Sequence, residues 1–117
     1  MKNHFTAERI ADILTAKNVA FGQKKMFGGD CFMVDDKMLT GTYKGGLMAR
    51  IDPSEAEILV NRPGASQMIH GGKPMVGYLF IEPEGYENDA DLAFWVEKCL
   101  AFNPKAKSSA KKSNVIP

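Results

Sequence analysis

Between Lys24 and Glu82 the chain is cut into short apolar runs by turn residues, and the spacing of the cuts leaves few folds open. Asp35-Asp36 separates residues 31–34 from residues 38–43, and Lys44-Gly45-Gly46 separates those from residues 47–51. Links this short join antiparallel neighbours, because a parallel pair needs a crossover of a dozen or more residues. Lys24 to Phe27 leads into the flexible pair Gly28-Gly29, and the three runs that follow read as a meander of three strands. Further on, a short strand at 67–69 and a strong one at 75–82 flank the turn His70-Gly71-Gly72-Lys73-Pro74.

Helical spacing marks what lies between and outside the strands. Residues 6–17 place Ile10, Ile13 and Leu14 on one face, with Thr6 as the expected N-cap. Asp52, Pro53 and Glu55 form a capping-box pattern that opens a second helix, which stops before Arg62-Pro63-Gly64. The last helix runs from Asn88 or Asp89 to about Phe102, with Leu92, Trp95, Val96, Cys99 and Phe102 as a broad apolar stripe, and Pro104 closes it. Trp95 is expected to anchor this helix on the sheet. The order is α-β-β-β-α-β-β-α. It specifies an α+β two-layer sandwich, a mainly antiparallel sheet with the helices packed on one face.

The other face of that sheet poses a problem. Residues 75–82 show Met75, Gly77, Leu79 and Ile81 on one side and Val76, Tyr78 and Phe80 on the other, and residues 31–34 are apolar on both sides. A sheet wet on one face alternates more cleanly. Something is expected to cover the second face: a loop, a helix, a ligand or a second copy of the chain. A two-fold homodimer is the expected solution, because one patch then serves both subunits; loops 24–30 and 61–73 folded over the face are the monomeric alternative.

Length and charge set the outer bounds. With 117 residues the chain fits one domain, expected over 1–104, followed by a disordered basic tail over 105–117 that lacks apolar periodicity. The tail holds Lys105, Lys107, Lys111 and Lys112, so the body before Pro104 carries 11 basic and 14 acidic residues against an overall net charge of +1. No global charge draws the chain to nucleic acid or lipid. No apolar run resembles a signal peptide or a membrane span, which points to the cytoplasm and to no membrane partner. Cys31 and Cys99 sit in apolar stretches and are expected to be buried free thiols.

No motif carries chemistry. His4, Cys31, His70 and Cys99 are scattered singly, whereas zinc sites need closely paired ligands. Thiols buried in apolar surroundings are inert. Gly71-Gly72-Lys73-Pro74 lacks the hydroxyl residue and following helix of a phosphate loop. Asp35-Asp36 is a turn, and Glu84, Glu87, Asp89 and Asp91 flank a helix start, where acids belong. No catalytic residue, metal site or cofactor is therefore expected. What remains is a candidate binding or interface surface drawn from Lys24, Lys25, Met48, Arg50, Arg62, Lys73 and Tyr78. Met48 shares a strand face with Arg50, and methionines on a second sheet face suit an adaptable surface.

Several segments taken in order resemble the TfoX N-terminal domain family: Lys25-Met26-Phe27-Gly28-Gly29, Cys31-Phe32-Met33-Val34, Lys37-Met38 and Gly46-Leu47-Met48-Ala49-Arg50. So do Arg62-Pro63-Gly64, Gly72-Lys73-Pro74-Met75 with Gly77-Tyr78, and Trp95-Val96 with Leu100-Ala101-Phe102. The match covers about 24–107. Asp36 departs from it, standing where such proteins often have Gly. The resemblance implies a fold like that of type III secretion chaperones and offers no catalytic residues to transfer. The family is named for a bacterial regulator of competence in which this domain precedes a second one; the regulator's role is not expected to carry over to this short chain. The expected function is a non-enzymatic binding or regulatory module acting on a protein partner or on itself. The alternatives are a weak nucleic-acid-associated factor using the Lys-rich tail, and a small-ligand protein or enzyme with a site that no motif betrays.

Overall fold

The structure is a computed structural model that describes residues 2–26 and 28–106, with backbone alone for 2–5. Among the described residues the elements are α1 (Lys2–Ala16), β1 (Gly22–Met26), β2 (Gly29–Val34), β3 (Lys37–Tyr43), β4 (Gly46–Arg50), α2 (Pro53–Leu59), β5 (Ala65–His70), β6 (Lys73–Ile81) and α3 (Asp89–Phe102). The α+β class and the order of elements are as the sequence specifies, with one more strand. Residues 22–26, read above only as a lead into the glycines, form β1 and pair with β2 from Gly22↔Met33 to Met26↔Gly29. Exposure along GQKKM hides this edge strand from a search for apolar alternation.

All strand pairs are antiparallel, in the order β1-β2-β3-β4-β6-β5. Three hairpins turn on two residues of positive φ each: Asp35-Asp36, Lys44-Gly45 and Gly71-Gly72. That backbone matches the twist of the flanking strands, and Asp tolerates it better than most side chains. Asp36 in the place of a glycine thus keeps the turn, with φ 63°.

The helix ends follow the expected chemistry with two differences. Asn88 Oδ1 accepts from Asp91 N at 2.8 Å at the start of α3, and Asp52 Oδ1 accepts from Ser54 N at 2.9 Å at the start of α2. Glu55 does not close the capping box; it reaches Lys98 at 2.9 Å. Thr6 is not an N-cap either, because α1 begins four residues earlier. It is buried inside the helix and its hydroxyl engages Tyr86. Lys37 Nζ donates to Asn103 O at 3.1 Å, placing a cation at the C-terminal end of α3, where the helix dipole favours it.

Two cores result. The larger joins Ile10 and Leu14 of α1, Ala56 of α2 and Leu92, Trp95, Val96 and Cys99 of α3 to Phe32, Leu39, Leu47, Ala49, Ile51, Leu79 and Ile81 of the sheet. Trp95 is 1% exposed and its Nε1 donates to Gly85 O at 3.2 Å. The smaller lies on the second face: Cys31, Met33, Met38, Tyr43, Met48 and Met68 are buried, with Met26, Met75, Tyr78 and Phe80 half-buried around them.

The sheet itself closes that second face. β3 and β5 are three strand spacings apart, about 14 Å in a flat sheet, yet Tyr43 Oη of β3 lies 3.3 Å from Ile69 O and 3.0 Å from His70 Nδ1 of β5. A tyrosine side chain spans less than half of that distance, so the β5–β6 hairpin is curled back over the cluster. A wide bulge in β6 permits the curl. The register jumps from Gln67↔Leu79 to Ile69↔Pro74, which sets Met68 opposite four residues, and Gly77 takes φ 85°. Gln67 Nε2 fills the gap, within 3.2 Å of the carbonyl oxygens of Met68, Met75 and Tyr78. The bulge also moves Met75 onto the second face and turns Val76 out to 76% exposure. The premise for a second copy, an uncovered apolar face, does not hold, since Cys31, Met48 and Met68 are fully buried within one chain.

Of the expected tail, Lys105 ends a 3-10 turn (Asn103–Lys105) beside Asp52, and Ala106 is buried. The rest, 107–117, lies outside the described residues.

Candidate functional site

The residues singled out from the sequence fall in four places. Met48, Arg50, Tyr78 and Lys24 belong to the second face. Cross-strand partners share a face, and the row Lys24, Cys31, Gly41, Met48, Phe80 crosses five strands. Arg50 pairs with Tyr78 in the next row, with the guanidinium carbon 5.6 Å from the ring centroid. Its Nη1 also reaches Met38 O at 3.4 Å. Met48 is not at the surface but at the centre of the cluster, fully buried. Lys25 points away and is bound to Asp30 at 2.6 Å. Lys73 is exposed at the tip of the β5–β6 hairpin. Arg62 is on the helix side, stacked 4.0 Å from the Phe94 centroid, with Lys98 over the same ring at 5.7 Å. The basic side chains do not make one patch.

The electrostatics of the second face follow from its dryness. Burial pushes the Cys31 thiol up to about 11, although Lys24 and Arg50 pull it down. Burial likewise raises the Tyr78 phenol, with Arg50 opposing. Across the sheet, burial lifts Cys99 to about 12 against hydrogen bonds from Arg50 backbone and Thr40. Both thiols are buried, free of any disulfide and protonated at neutral pH, as expected of core cysteines. Thr40 and Thr42, buried polar residues of β3, are satisfied by the sheet: Thr40 Oγ1 donates to Met48 O at 2.6 Å, and Thr42 Oγ1 accepts from Asp30 N at 2.9 Å.

What sequence reasoning missed is the extent of the methionine cluster. All six methionines other than Met1 meet on one face, from β1, β2, β3, β4, β5 and β6. The signal was present, since each falls on or beside a strand, but their convergence depends on the bulge that redirects Met75 and the curl that brings Met68 into the cluster. Glycine makes room for the aromatic rim. A Cβ at Gly46 would lie 2.6 Å from the Phe80 ring and from Ile81 O. Unbranched thioether chains repack at low cost, so such a core can change shape without losing its fold.

Among the described residues no helix is long and apolar enough to cross a membrane, and no three His, Cys, Asp or Glu residues gather around a common point. The family model described as TfoX N-terminal domain matches residues 14–103 of the chain. That span is most of the sequence, and the chain belongs to the TfoX N-terminal domain family. No curated protein matches it.

Proposed function

We propose that this member of the TfoX N-terminal domain family is a non-enzymatic binding module that holds a protein partner on the second face of its sheet. The observation that carries the reading is the gathering of six methionines beneath a hairpin that covers them only by curling. The helix-side core is built from branched and aromatic side chains fixed by three helices. The second core is closed by β5, an edge strand whose outer residues Ser66, Gln67, Ile69 and His70 are exposed. Lifting the outer part of the β5–β6 hairpin, residues 66–76, would break the Tyr43 contacts and leave Leu79 and Ile81, with the larger core, in place. The opened face would offer methionines, Phe80 and Tyr78 for apolar contact, and Arg50 and Lys24 at one end for an acidic or carbonyl group.

A photo-crosslinking residue placed at Tyr78 and, separately, at the exposed Ala101 of α3 tests this in the producing cell. The reading expects a discrete protein adduct from position 78 that is absent from position 101. Equal adducts at both, or an adduct only from 101, would refute it.

A further inference from the structure

We propose that the β2–β3 hairpin carries a binding site for a soft monovalent metal ion, Cu(I), formed by Cys31 Sγ, Met33 Sδ and the thioether of Met38. Cys31 and Met33 are two residues apart on one strand and therefore face the same side. Met38 is the direct cross-strand partner of Met33, which puts the two Cβ atoms within about 5.5 Å. All three side chains are buried in the same cluster. Cys31 Sγ lies 3.9 Å from Met33 Sδ. Two sulfurs that share one metal, at bonds of about 2.3 Å and angles between tetrahedral and trigonal, lie about 3.8–4.0 Å apart. The spacing already present is the spacing a shared ion needs.

The donor set selects the ion. Thiolate and thioether ligands favour Cu(I) over the harder divalent metals. Charge selects it again: a thiolate with Cu(I) is neutral overall, whereas a divalent ion would leave a net charge in an apolar core. Binding as the thiolate displaces the thiol proton: Cys31–SH plus Cu(I) gives Cys31–S–Cu(I) and one released proton. Met33, the most exposed of the three ligands, borders open space. An open cleft of about 430 Å³ is bordered by Phe21, Gly22, Lys24, Asp35 and Asp36 and reaches Met33. Two carboxylates against one ammonium at its mouth favour a cation. The rule that excludes zinc here counts cysteine and histidine spacing, and a Cys-x-Met strand with a facing methionine escapes it. This site stands independently of the partner-binding reading.

The test is an anaerobic titration of the full chain with Cu(I) in competition with bicinchoninate, together with Ag(I) titration of protein labelled at the methionine methyl carbons. One equivalent of Cu(I) is expected to be withheld from bicinchoninate, with one proton released per ion. Ag(I) is expected to shift the methyls of Met33 and Met38 and leave that of Met75 in place. Met33→Leu should weaken binding at least tenfold at an unchanged melting temperature, Cys31→Ser should abolish it, and Cys99→Ser should leave it intact. Failure to hold Cu(I) against bicinchoninate, unshifted Met33 and Met38 methyls, or undiminished binding in Met33→Leu would overturn the proposal. The methyl shifts and Met33→Leu decide it even if Cys31→Ser does not fold.

Discussion

Replacing Trp95 by Ala removes the keystone between α3 and the sheet. The side chain is 1% exposed and sits among Leu92, Val96 and Cys99 of its own stripe. A buried tryptophan removes roughly 150–250 Å² from water, worth about 4–6 kcal/mol at about 25 cal/mol per Å² as an upper bound. The alanine methyl retains part of this, the unfolded chain already buries some of it, and the cavity left behind adds a cost. The bond from Nε1 to Gly85 O, at 3.2 Å, adds about 1 kcal/mol. The expected loss is about 3–5 kcal/mol, against a total of about 5–15 kcal/mol for a domain of this kind. Urea unfolding followed by far-UV circular dichroism measures it, since Trp95 is the chain's one tryptophan and its fluorescence disappears with the substitution. Trp95→Phe, which keeps the ring and loses the hydrogen bond, should cost less than half as much. A loss below about 1 kcal/mol for Trp95→Ala with an unchanged denaturant slope would refute the assignment of Trp95 to the core.

Three further outcomes are expected. Gly46→Ala should destabilise the fold by about 1–3 kcal/mol, because its Cβ would meet Ile81 O and the Phe80 ring at 2.6 Å, and the backbone oxygen cannot swing away; chemical denaturation against wild type checks this. Tyr43→Phe deletes the hydroxyl contacts to Ile69 and His70 and should cost about 0.5–1.5 kcal/mol, read as a lower unfolding midpoint, with amide exchange accelerated in β5 more than in β2. The thiols should add no pH dependence to the melting temperature below pH 9, the ordinary thiol value, where both states are protonated. That temperature should fall as the pH rises toward 11 and 12, because the unfolded thiols ionise first while Cys31 and Cys99 resist, and Cys99→Ala should flatten the slope in a differential scanning series.

The two-residue turns, the capped starts of α2 and α3 and the stripe around Trp95 were legible because each depends on residues within one turn of chain. β1 was not, because an edge strand of Gly, Gln and Lys buries too little to show a period. The start of α1 was misplaced by Thr6, whose type suits a cap but whose hydroxyl is used by Tyr86, some eighty residues away. The apolar excess on both sides of the strands was read correctly as a second buried face, and the monomeric alternative named residues 61–73 as a cover; that segment does cover it, but as strand β5 of the same sheet rather than as a loop. The bulge that makes the sheet its own cover turns on Gly77, and a glycine within a strand pattern signals a bulge without giving its size. Met48 and Arg50 were named from one strand pattern and share a face with Tyr78 and Lys24; Arg62 was named by charge and lies on the other.

Partner binding on the second face requires that residues 66–76, the outer part of the β5–β6 hairpin, open apart from the rest of the domain. Native-state hydrogen exchange at increasing, sub-denaturing urea measures that opening directly. The paired amides of β5 and of residues 73–76 are expected to exchange at least a hundredfold faster than those of Thr40 and Leu47 in β3 and β4, through an opening whose urea dependence is well above zero and well below that of global unfolding. Protection of β5 equal to that of β3 and β4, with the urea dependence of global unfolding, would contradict the account.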